Sequence, residues 1–76
     1  MKNLVAFMAK ALVDNPEEVS IREHERGDIL VFELRLARED IGKVIGKGGN
    51  TIRAIRRIVK AAAFGRTKQV IVQVAG

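Results

Sequence analysis

The chain has 76 residues, 47% of them apolar, which suits one small domain spanning 1–76 and leaves no material for a second. It has no Cys and a single His, His24, so disulfides, thiolate metal sites, thiol nucleophiles and multi-histidine metal centres are excluded. The formal charge of +5 is segregated, with six basic and nine acidic side chains in residues 1–40 but eight basic and none acidic in residues 41–76, a one-signed field that attracts a polyanion.

Leu4, Val5, Met8 and Leu12 recur at helical spacing and predict a helix over 2–13. Asp14-Asn15-Pro16 ends it, because the residue before a proline is pushed out of the helical region. Val19, Ile21 and Glu23 alternate with polar neighbours as a short strand, and Arg26-Gly27-Asp28 reads as a tight turn. Ile29 to Leu36 is a stronger strand, with Leu30, Phe32, Leu34 and Leu36 on one face and Ile29, Val31, Glu33 and Arg35 on the other. A short helix over about 39–45 follows, opened by Glu39 and Asp40, whose negative charge suits a helix N-terminus. Gly46-Lys47-Gly48-Gly49 joins it to a second helix that Asn50 or Thr51 can cap. In that helix Ile52, Ile55, Val59, Ala62 and Ala63 form an apolar stripe, and Arg53, Arg56, Arg57 and Lys60 a basic one, before Gly65 ends it. Val70 to Ala75 is the last strand, with Val70, Val72 and Val74 facing one way.

The order α-β-β-α-α-β predicts an α+β domain, a three-stranded mixed sheet with three helices packed on one face. The two helices between the second and third strands supply the crossover that a parallel pair requires. No apolar run approaches the roughly 20 residues of a membrane-spanning helix. Lys10 and the acidic residues after it break the pattern of a signal peptide, so a cytoplasmic protein without a membrane partner is expected.

Three glycines in Gly46-Lys47-Gly48-Gly49 let the backbone turn sharply and let a ligand approach its amides. The helix behind the loop offers unsatisfied N–H groups and a positive dipole end, which suit a phosphate, and Lys47 adds a mobile charge. The loop is not that of a nucleotide hydrolase. Gly42 and Gly46 are separated by three residues instead of four, Lys47 is followed by Gly48 where Ser or Thr is needed, and a helix precedes instead of a strand. Glu23 and Glu25 alternate away from His24, so no acid–base pair is implied, and no activated nucleophile is seen. No catalysis, no cofactor and no metal are expected.

Val44-Ile45-Gly46-Lys47-Gly48-Gly49-Asn50-Thr51-Ile52, with a helix on each side, resembles the apolar-Ile-Gly-x-x-Gly-x-x-apolar signature of the K-homology (KH) nucleic-acid-binding domain. The resemblance covers essentially the whole chain. An extra helix and strand before the core instead of after it is similar to the type II KH fold, and a lone domain with Asp40-Ile41-Gly42-Lys43-Val44-Ile45-Gly46 is similar to small bacterial single-KH proteins. The resemblance implies that Gly46, Lys47, Gly48 and Gly49 clamp the sugar-phosphate backbone of about four single-stranded nucleotides. It implies that Ile41, Val44, Ile45 and Ile52 include the floor of an apolar groove for the bases, with Ile45 and Ile52 the more buried. Gly42 would let the short helix pack closely or let a base approach. Lys43 and Arg53 would add charge beside the loop, and Arg66 would do so from the segment Gly65-Arg66-Thr67-Lys68 that borders the groove. Asn50 stands where many KH domains have Arg or Lys; it counts among the residues that would meet RNA, since Asn can still cap or hydrogen-bond there.

With three Phe and no Trp or Tyr, the chain lacks the stacking platforms of strand-borne RNA binders, and Phe7, Phe32 and Phe64 read as core or interface residues. Binding would rest on phosphates and a shallow groove, and so be salt-sensitive. The expected function is a single-stranded RNA-binding protein, an RNA chaperone or post-transcriptional regulator, and single-stranded DNA is not distinguished by phosphate contacts. The alternative is a protein-interaction or ribosome-assembly module that keeps the scaffold without relying on its groove. Ala61-Ala62-Ala63-Phe64, with Ile58 off the main stripe, predicts a contact to a second copy, as a homodimer, or to another KH-containing RNA-binding protein. Such a contact would add burial that a domain this small lacks.

Overall fold

The computed structural model describes residues 1–65 and 69–76, and its elements form where the apolar periodicity changes. They are α1 (Lys2–Leu12), β1 (Ser20–Arg26), β2 (Ile29–Arg35), α2 (Ile41–Ile45), α3 (Asn50–Ala62) and β3 (Gln69–Ala75). Short 3-10 turns lie at Pro16–Glu18, Arg38–Asp40 and Lys47–Gly49. The sheet order is β1-β2-β3. β1 pairs antiparallel with β2 from Ser20↔Arg35 to Arg26↔Ile29, across a turn in which Gly27 has φ 57°. β3 pairs parallel with β2 from Ile29↔Gln69 to Arg35↔Ala75, after the two-helix crossover. This is the expected type II KH architecture, with a mixed sheet and three helices on one face.

The alternation of β2 decides where the core sits. Leu30, Phe32 and Leu34 are buried under the helices, and Val72 of β3 continues the layer. Onto it pack Val5 and Ala9 of α1, Val44 of α2, and Ile52, Ile55 and Val59 of α3. The inner line of α1 is thus Val5–Ala9, while Leu4 and Met8 are half-buried and Leu12 is exposed. On α3, Ala63 is buried but Ala62 is exposed, since the helix ends at Ala62 and the chain turns away. No helix among the described residues is long and apolar enough to cross a membrane.

Asp40 opens α2 as expected, at the residue just before its first turn, but it does so without capping the helix. Its side chain is fully buried and makes no cap hydrogen bond to α2. Instead its carboxylate accepts from the backbone N–H of Asp14 (3.2 Å), the backbone N–H of Asn15 (3.0 Å) and the Asn15 side-chain amide (3.0 Å). Lys43 stands 3.9 Å away. Burial pushes the Asp40 pKa up, but these hydrogen bonds, with the Lys43 charge, outweigh it and hold the carboxyl below its ordinary value. The carboxylate thus ties the exit of α1 to the start of α2.

Because the folded pKa lies below the unfolded one, this stabilisation is present at neutral pH and is lost as pH falls below about 4, through the folded pKa. Asp40→Asn should lower the melting temperature at neutral pH and flatten the loss of stability on acidification. Circular-dichroism melts of both proteins across that range check this.

Candidate nucleic-acid interface

α2 stops at Gly46, whose φ of 76° and ψ of 169° lie in a region essentially reserved for glycine. A Cβ there would also stand 2.9 Å from the backbone nitrogen of Thr51 and closer still to its side chain. The Gly46 N–H donates to the Gly42 carbonyl (2.9 Å), and the Gly49 N–H returns to the Gly46 carbonyl (3.0 Å), closing the loop on itself. At the tip Lys47 and Gly48 are exposed, and Gly48 has φ 63° with open space where a Cβ would go.

Neither Asn50 nor Thr51 caps α3. The cap position is Gly49, with no side-chain acceptor, and the Thr51 side chain is taken up against Gly46. The Asn50 Oδ1 accepts a hydrogen bond from Nη2 of Arg53. That guanidinium lies on the loop, its Nη1 3.1 Å from the Cβ position of Gly49. Asn50 therefore orients the Arg53 guanidinium against the loop. Hydrogen bonding at i and i+3 on a helix was the signal that could have shown it.

The apolar residues divide differently from expectation. Val44 is fully buried in the core and offers no surface to a ligand, and Ile52 is buried as expected. Ile45 is only half-buried, and with Ile41, one turn before it, makes the partly exposed side of α2. Ile41 also packs on the end of β3, its Cδ1 2.9 Å from the Cβ position of Gly76. A Cβ on Gly42 would meet nothing within 4 Å, so packing does not require glycine there.

Among the described residues, Lys43 and Arg56 are engaged away from the loop. Lys43 does not reach toward the loop: its Nζ donates to Oδ2 of Asp14, which raises its pKa. Arg56, on the basic stripe of α3, donates through Nη2 to the Val72 carbonyl (3.1 Å) of β3, an edge strand. It borders a cleft of about 620 Å³ along residues 70–75. Arg53, Arg57 and Lys60 are exposed. Arg66 lies outside the described residues. His24 does have a carboxylate partner, Glu33 of the neighbouring strand at 3.1 Å, which strand pairing supplies and local alternation could not show. Among the described residues no cluster of His, Cys, Asp and Glu could hold a metal ion.

The family model described as "KhpA/KhpB, KH domain" matches residues 2–74. "RNA-binding protein KhpA" of Caldanaerobacter subterraneus is 50% identical over 74 residues, covering 97% of this chain and 99% of the relative. The protein of that name from Clostridium perfringens is 47% identical over the same shares, and that from Chlamydia caviae 42% identical over 97% and 95%. No solved structure gives a significant match.

Gly46→Ala should destabilise the domain by about 1–3 kcal/mol from backbone strain alone, more if Thr51 cannot move aside. Gly42→Ala should cost far less. Urea unfolding of the two variants measures the difference.

Proposed function

This chain belongs to the KhpA/KhpB KH-domain family, and we propose that it is a single-stranded RNA-binding protein whose loop 46–49 clamps the sugar-phosphate backbone. The observation that carries the reading is the loop: positive-φ glycines hold an exposed Lys47 in front of a helix N-terminus that no side chain caps. A phosphate is the natural partner for amides left in that state. Arg53 supplies the second charge, oriented by Asn50. Ile41 and Ile45 offer the bases a partly exposed apolar surface, Val44 supports it from within, and Lys43 stays committed to Asp14. The relatives' name, RNA-binding protein, supports the same reading.

With charge as the main source of affinity, the protein tolerates many sequences and suits the work of an RNA chaperone or post-transcriptional regulator in the cytoplasm, acting as one domain. Fluorescence anisotropy with a mixed-sequence single-stranded RNA at two salt concentrations tests it, with single-stranded DNA alongside. Binding should weaken with salt by about 0.7 log units per log unit for each phosphate engaged. Lys47→Asp/Gly48→Asp should abolish it while keeping the fold, since both positions are exposed and Asp enters the left-handed backbone of Gly48 at a smaller cost than most residues. Equal binding by that variant would leave only a nonspecific field, and no binding by either protein would favour the protein-interaction module.

A second copy, or another KH-containing protein, would meet the outer end of α3. Ile58 is 49% and Phe64 89% exposed, and the small Ala61 and Ala62 between them allow close approach. Sedimentation equilibrium at high micromolar protein should show a dimer that Ile58→Asp disrupts. A monomer throughout would sink the self-association.

A further inference from the structure

The helices cover one face of the sheet, and the other is open. Strand register puts Arg22, His24 and Arg26 of β1 on that face beside Ile29, Val31 and Glu33 of β2 and Ile71 of β3. They surround a depression of about 490 Å³ in which the half-buried Ile29, Val31 and Ile71 form the floor. The carboxylate on this face, Glu33, is held by His24. No ion pair among the described residues engages Arg22, Arg26 or Arg35, which shares the face. Strand alternation sends the acidic neighbours Glu23 and Glu25 to the other side.

We propose that this open sheet face is a docking surface for an acidic amphipathic segment of a partner protein, its apolar side chains in the depression and its carboxylates on the arginines. Charge complementarity selects the occupant. A second copy docking here would set arginines against arginines. A nucleic-acid strand would find charge but no aromatic platform for its bases, because the floor is aliphatic and β-branched. The loop 46–49 belongs to the helix layer, so both surfaces can be filled at once.

The test is titration of the isotope-labelled full chain with a short synthetic peptide of alternating Glu and Val, followed by backbone-amide NMR. A peptide of alternating Lys and Val is the control. The acidic peptide should move the amides of Arg22, His24, Val31 and Ile71, and salt should weaken it. Arg22→Glu/Arg26→Glu should weaken the peptide about tenfold or more, as expected for two surface charge pairs. Arg22→Gln/Arg26→Gln should give a smaller loss, which keeps the test open if charge reversal harms folding, and the same spectra report the fold. Lys47→Asp/Gly48→Asp should leave the peptide's effect unchanged, so failure of the RNA reading is separable. The proposal is overturned if those amides stay still, if the Lys peptide acts equally, or if single-stranded RNA moves them and the acidic peptide does not.

Discussion

Asp40 bonds to backbone amides 25 and 26 positions earlier in the chain, and the placement of α2 depends on that contact. A helix of five residues has no stability of its own, because nucleation costs more than so few hydrogen bonds return. Its direction is set from outside: Asp40 fixes its start, Val44 in its second half is buried in the core, and Gly46 breaks it at the end. A buried carboxylate is tolerable only where donors replace water, and three N–H groups from Asp14 and Asn15 do so. The loop tip inherits its position from this clamp, though Asp40 itself has no access to solvent.

The site that results is built largely of backbone. Gly46 and Gly48 allow turns that other residues resist, and the side chains that the proposed RNA clamp would use are few: Lys47 at the tip, Arg53 laid across Gly49, and the side of α2 formed by Ile41 and Ile45. Asn50 changes character in this setting. A basic residue there would add charge but could not accept from Arg53, whereas the amide oxygen fixes the guanidinium over the loop. Among the described residues Lys43 is held by Asp14 and Arg56 by the carbonyl of Val72, so formal charge overstates what reaches a ligand.

The sheet gives the molecule two unlike surfaces. Its helix-covered side carries the loop and most of the basic C-terminal half, while its open side sets Arg22 and Arg26 around an aliphatic floor, with Arg35 further along the same face. A strand that alternates Arg and His with Glu, as β1 does, separates charges that sequence composition averages together.

The sequence alone determined the element order, the inward face of β2, the crossover to a parallel β3 and the glycine loop, because each follows from periodicity or from a residue's own backbone preference. It also marked Ile52, Ile55 and Val59 as core through their helical spacing. What it could not decide were matters of distance between remote residues. Only the folded chain shows that Asp40 faces Asn15 instead of its own helix, that Lys43 leans to Asp14, that Glu33 meets His24, and that Val44 and not Ile45 is the buried partner in α2. Local preferences act over a few residues and are written in the sequence. Which carboxylate finds which donor depends on packing the whole sheet and its helices at once.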